Sequence, residues 1–393
     1  MIARTGMRAT PFVLVVSVAV AAGCGRPLPL GTDASAGAGG SLGQAGTGGT
    51  FTPTRKVDML FVIKDSGSTR LMQDNLLRNF PYFTSRLMDP PGLPDLHIAV
   101  VTSDLGAGDG SIAGCDATGG KKGIFQDTPR GPCVTSGLAP GATFIADDGT
   151  NRNYDGQLAD VFACIGAVGS TGCGFEHELA AITRALGADG KPAPVENAGF
   201  LRDDAFLFVL VLSDEDDCSA PPGSGLFDTA STNLASPLGP VSSYRCSEFG
   251  HVCNGGKPPR LAPTGSVGDR VTLDGCVSAE GAGMLTPVAT IVSQLRALKP
   301  FPDQQIVVAA IAGPPTPYTV EWRQPRSSDT GPWPTNTPSC VGTDGSPGLP
   351  AVRIAQWTKA FGAHGMVLPV CSDNFAPVLD QLASLLNQAM SLP

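Results

Sequence analysis

At 393 residues and 42% hydrophobic content, the chain is long enough for one large α/β domain or two smaller ones and has ample core material, which excludes a disordered or fibrous protein. Fifty Gly and 35 Pro exceed what compact elements use, so much of the length must lie in loops, and one sheet with long insertions is expected. A net charge of −9 argues against nucleic acid or anionic lipid headgroups as partners.

The N-terminus carries Arg4 and Arg8, an apolar run over 12–22, then Gly23 and Cys24. A basic start, an apolar stretch short for a bilayer and small residues before a cleavage point read as a secretory signal over 1–23. The tetrad Ala21, Ala22, Gly23, Cys24 resembles the bacterial lipobox, with Ala21 where that pattern usually has Leu; the resemblance implies that Cys24 is acylated and becomes the mature N-terminus. Ordinary cleavage and a retained anchor are the other readings. Cleavage would take the net charge from −9 to −11. Lipidation would use one of 11 cysteines and leave an even number, as suits an exported protein. Residues 24–54, rich in Gly, Ala, Ser and Thr, cannot bury enough surface to offset their ordering entropy and read as a flexible tether.

The domain is expected over 55–393. Residues 59–63 form an apolar, β-branched run that ends in the polar turn Lys64, Asp65, Ser66, Gly67, Ser68, where a strand buried on both faces hands over to a helix. Helix is predicted over 71–88, with Pro81 kinking or splitting it, and strand over 96–102 after a right-handed crossover. Residues 103–153 read as a loop or irregular hairpin held by a disulfide. Helices follow over 158–168 and 176–186. Phe206–Leu212 is the most apolar strand and ends in a second polar burst at 213–219. A Gly/Pro/Ser-rich insertion over 213–282 precedes a helix over 285–298 and a strand over 305–311, and a Pro-rich insertion over 313–349 precedes helix 351–361, strand 366–370 and helix 375–390. This alternation specifies an α/β fold with a doubly wound, mostly parallel sheet flanked by helices.

Five disulfides are expected. Sequence proximity suggests Cys115 with Cys133, Cys164 with Cys173 and Cys340 with Cys371, while Cys218, Cys246, Cys253 and Cys276 allow three connectivities. His177 and Glu178 begin like a zinc-protease motif, but the second His is missing and His177 reads as a partly exposed helix residue. There is no GxSxG elbow, P-loop or post-strand GxGxxG. The acidic run 214–217 offers Ca²⁺ ligands, although a solvated loop is the commoner use of such a run.

With VDMLFVIKDSGS as first strand and turn and FLFVLVLSDEDDCS as fourth strand and turn, the chain resembles the von Willebrand factor type A domain family, in particular secreted, cysteine-rich bacterial lipoproteins that carry it. The resemblance spans roughly 55–393 with the insertions unmatched. It implies a Rossmann-like fold and a metal-ion-dependent adhesion site, with Ser66, Ser68 and Asp214 as metal ligands for Mg or Ca. Thr171 and Glu176 are candidates for the later-loop ligand, and Asp216 joins the ligand-binding face. Lys64 stands where the family has its first Asp, and Asp65, one residue late, should point elsewhere by strand alternation. The Lys64 ammonium is expected to replace the ion among Ser66, Ser68 and Asp214. The favoured reading is a lipid-anchored binding module of the bacterial cell envelope, at the outer membrane or cell surface, facing a protein or glycan without a complete metal site. A hydrolase with an unrecognised active site and a structural envelope lipoprotein are the alternatives.

Overall fold

The computed structural model describes residues 53–391 except 89–91, 109, 116–118, 132, 282 and 325–330. The signal segment, Cys24 and the tether as far as residue 52 lie outside the described residues. In chain order the elements begin with β1 (Lys56–Ile63), α1 (Arg70–Leu87), β2 (Asp95–Thr102), β3 (Ile145–Asp147), α2 (Leu158–Gly166), α3 (Glu178–Leu186) and β4 (Phe206–Leu212). The first long insertion holds α4 (Tyr244–Gly250), β5 (His251–Val252), β6 (Arg270–Leu273) and β7 (Val277–Ser278), and α5 (Val288–Arg296), α6 (Pro302–Gln305) and β8 (Ile306–Ala312) follow it. The second holds β9 (Tyr318–Arg323), β10 (Trp333–Asn336), β11 (Cys340–Val341) and β12 (Pro347–Gly348), before α7 (Val352–Lys359), β13 (Gly365–Pro369) and α8 (Ala376–Ser391) close the chain.

The main sheet runs β13-β8-β4-β1-β2-β3, parallel throughout except for the short antiparallel edge strand β3. Strand alternation divides the core into two layers. Val57, Met59, Phe61 and Ile63 face α1, α2 and α8, where Phe61 meets Phe162 at 4.7 Å and Phe80 stacks on Phe162 at 3.7 Å. Leu60 and Val62 face α3, α5 and α7. Every residue of β4 and β8 is buried, as unbroken apolar runs in a sheet covered on both faces should be.

Helices on both faces of a mostly parallel sheet bear out the expected α/β class. Pro81 lies inside an unbroken α1, so the expected split does not occur, with Phe80 and Phe83 buried in the core on either side of it. The expectations for the disulfides and insertions need correction. Residues 103–153 are not closed on themselves: Cys115 bonds Cys173, and Cys133 bonds Cys164. The proximity pairs Cys115–Cys133 and Cys164–Cys173 are therefore wrong, since α2 and the loop after it come back alongside this segment. Cys340–Cys371 is present as expected, and Cys218–Cys246 and Cys253–Cys276 resolve the remaining four. The two insertions are also not independent loops, for β6 of the first and β9 and β10 of the second form one three-stranded antiparallel sheet.

Candidate functional site

β1 and β4 are adjacent, and the strand order reverses direction around them, so the loops leaving their carboxyl ends splay apart and leave a crevice. Lys64 follows β1 directly and extends its ladder, its N–H donating to the Leu212 carbonyl at 3.0 Å. Its side chain shares the face of Leu60 and Val62 and is fully buried. The ammonium lies 2.6 Å from Asp214 Oδ1 and 3.1 Å from Ser68 Oγ, with Glu215 Oε2 at 3.6 Å and Glu176 Oε1 at 3.8 Å. Burial alone would lower its pKa, but the carboxylates of Glu215, Asp214 and Glu176 more than offset that and hold it above its ordinary value.

Glu176 is also buried. Loss of water pushes its pKa up to about 8; the Lys64 ammonium opposes this and the Glu215 charge adds to it. Ser103 Oγ donates to Glu176 Oε2 at 2.9 Å, and the nearby Ser66 hydroxyl also favours the carboxylate. Two residues on, Glu178 starts α3 wholly buried and accepts from Ser213 Oγ at 2.6 Å. Burial, then the charges of Glu176 and Asp217, raise its pKa well above the ordinary range.

The loops are held by specific contacts. Gln73 of α1 donates to the Lys64 carbonyl at 2.9 Å and to the Gly169 carbonyl at 2.8 Å, tying the first turn to the loop before α3. Gly172 donates its N–H to the Asp65 carbonyl at 2.7 Å, and a Cβ there would meet Asp65 Oδ1 at 2.4 Å, so only glycine admits this approach. On the other side, Leu349 N–H donates to the Asp214 carbonyl at 2.8 Å; Gly313 allows that strap to pass, since a Cβ on it would lie 1.9 Å from the Leu349 carbonyl oxygen.

Of the expected ligand-face residues, Lys64, Ser66, Ser68, Glu176 and Asp214 converge. Asp65 turns away, as alternation requires, and its carboxylate pairs with Lys121. Thr171 sits exposed on the loop whose next residue covers Asp65. Asp216 also leaves the cluster: it accepts from His251 Nε2 at 2.8 Å and from the N–H groups of Arg353 and Ile354 at the start of α7. Asp217 pairs with buried Arg353 at 3.0 Å and accepts from the Leu179 N–H. The run 214–217 is thus no solvated loop; it sends its carboxylates to different elements. His177 is not partly exposed but buried, its ring 5.5 Å from Phe227, and burial lowers its pKa.

Sequence reasoning missed Glu178 with Ser213, and the part played by Glu215. The signal for Glu215 was its place beside Asp214, because a lysine buried at a strand end needs more than one counter-charge. A divalent ion does not fit the Lys64 cluster, since the ammonium already lies at hydrogen-bond distance from Ser68 and Asp214, two of the expected ligands, and would repel it. Among the described residues no group of three or more His, Cys, Asp and Glu is arranged to hold a metal.

Two clefts flank the Lys64–Asp214 pair. One, about 490 Å³ and open to solvent, is lined by Glu176, Glu215, Asp216, Tyr244, His251 and Asn336; the other, about 340 Å³, by Ser68, Asp214, Asp344, Ser346 and Ser372 among others. No protein-family model matches the chain, and no curated protein matches it either.

Proposed function

We propose that this chain is an exported, lipid-anchored binding module of the cell envelope that presents the carboxyl edge of a von Willebrand factor A-like sheet to a protein or glycan, without a metal ion. The observation that carries this reading is the buried Lys64 ammonium among Ser68, Asp214, Glu176 and Glu215 at the crevice between β1 and β4. It supplies in covalent form the positive charge that a bound cation supplies in the family the sequence resembles. The strand order β3-β2-β1-β4-β8-β13 and the antiparallel edge strand are in keeping with that resemblance. Binding also suits the chemistry better than catalysis, because the hydroxyls at this edge are bonded to carboxylates, backbone or the ammonium rather than to an imidazole base.

The test is a pull-down from envelope extract with the full chain in detergent, with and without divalent cations. Capture of a partner that is indifferent to chelator supports the reading, and capture that requires Mg²⁺ or Ca²⁺ overturns the metal-free part of it. In parallel, calorimetric titration of Mg²⁺ should show weak or no binding by the wild type. Lys64→Asp should bind at least about tenfold more tightly, because it restores a carboxylate beside Ser66, Ser68 and Asp214.

A further inference from the structure

The larger cleft carries two orphaned acceptors. Glu176 Oε1 and Asn336 Oδ1, both lining it, are buried atoms without a hydrogen-bond partner among the described residues. Glu176 is 1% exposed and lines the cleft, so this is a buried acceptor whose nearest cation is the Lys64 ammonium at 3.8 Å. Glu215 joins them, its side chain 28% exposed and, among the described residues, ion-paired with Lys64 alone at 3.6 Å. Several side-chain donors around the cleft are engaged, Tyr244 Oη with the Pro259 carbonyl at 2.7 Å and Asn336 Nδ2 with Ser247 Oγ at 2.8 Å, while the Ser243, Ser247 and Thr335 hydroxyls, which can donate or accept, also line it. Both nitrogens of His251 are occupied, by Tyr318 Oη and by Asp216, each at 2.8 Å. An occupant that brings donors satisfies the two orphaned acceptors and Glu215.

Charge narrows it further. Asp216 faces His251 and the start of α7 and Asp217 faces Arg353, while the single Lys64 charge is shared between Asp214 at 2.6 Å and Glu215 at 3.6 Å, which leaves an excess negative charge at the rim, where Glu215 is the more exposed of the two. One added positive charge neutralises it. A divalent ion would overshoot, would find three acceptors where calcium takes six to eight oxygens, and would lie close to the Lys64 ammonium. A guanidinium carries one delocalised charge and five N–H donors in a fixed fork.

We infer that this cleft receives an arginine side chain of a partner protein. The inference rests on the binding-module reading and names the chemistry of its partner. It also reverses the polarity expected of a metal-bearing adhesion face, which would take a partner's carboxylate.

The experiment is calorimetric titration of N-acetylarginine amide, its neutral isostere N-acetylcitrulline amide and CaCl₂ into the full chain in detergent at low salt. The arginine amide should bind at least about tenfold more tightly than the citrulline amide, and Glu215→Gln should remove most of that difference, whereas Glu196→Gln on the exposed opposite surface should not. Equal affinity for the two amides overturns the inference, as does calcium binding that Glu215→Gln abolishes. A partner recovered by pull-down whose capture survives both Glu215→Gln and excess arginine amide would leave the binding-module reading standing and remove this one.

Discussion

β1 carries a buried charge at each end, on the same face and with opposite surroundings. At its start Asp58 is fully buried beneath Arg202, which donates its N–H at 2.7 Å and its Nε at 2.8 Å, with His97 at 3.6 Å and Lys299 at 3.7 Å. Arg202 in turn reaches Asp95 at 2.5 Å and the carbonyls of Val57 and Asp95. Both oxygens of Asp58 are used. At the far end of the strand Lys64 is caged by carboxylates, but there Glu176 Oε1 and Glu178 Oε2 are left without a hydrogen-bond partner among the described residues. A saturated cluster pins the strand; an unsaturated one leaves binding capacity at the edge where the crevice opens.

The comparison can be broken by mutation, and the largest effect should come from the saturated end. Asp58→Ala leaves buried Lys299 without its counter-ion and Arg202 with Asp95 alone, and should cost about 3–5 kcal/mol in urea unfolding with the disulfides kept oxidised. A loss below about 1 kcal/mol would mean that the network contributes little, as exposed pairs do. Lys64→Met should cost less, about 2 kcal/mol near pH 5.5, because Glu176 can keep its proton when the ammonium is gone; the loss should grow towards pH 8 as that proton becomes harder to hold. Equal losses at the two pH values would show that the carboxylates do not adapt.

The smallest effect is a slope. The folded pKa of Glu176, pushed up to about 8, lies above its unfolded value, so the folded state binds the proton more tightly. The associated stabilisation is fully present below the unfolded pKa and is lost as pH rises through about 8. Glu178, raised in the same direction, adds to the trend. Unfolding free energy should therefore fall between about pH 5 and 8, by at most ~1.4 kcal/mol per pH unit for each group, and Glu176→Gln should flatten that fall. A wild-type profile that rises over this window would contradict the assignment.

The sequence made β1, β4 and the helices around them legible because runs without Gly or Pro and helical spacing are local signals. The position of Lys64 was legible for the same reason: a charged residue at the end of a fully buried strand has few places to go. Contacts made by distant segments were not. Nothing in the spacing of 270–273 and 318–323 announces that β6 and β9 pair, and nothing in the run 214–217 says that Asp216 will cap α7 while Asp217 meets Arg353. His177 read as a helix residue because its spacing is helical, yet it precedes α3 and is buried against Phe227.

The order of the disulfides bears on how the chain is made. Four of the five join cysteines that follow one another in the chain; the exception is Cys115–Cys173, which encloses Cys133–Cys164. As synthesis proceeds from the N-terminus, Cys133 is the first partner offered to Cys115, and it is the wrong one. Oxidation that outpaces the formation of α2 traps that pair, and reaching the native bonds then needs a thiolate to attack it and shuffle the bridge. The nested pair thus sets an order: α2 must bring Cys164 to Cys133 before Cys115 and Cys133 are oxidised together, or thiol–disulfide exchange must follow.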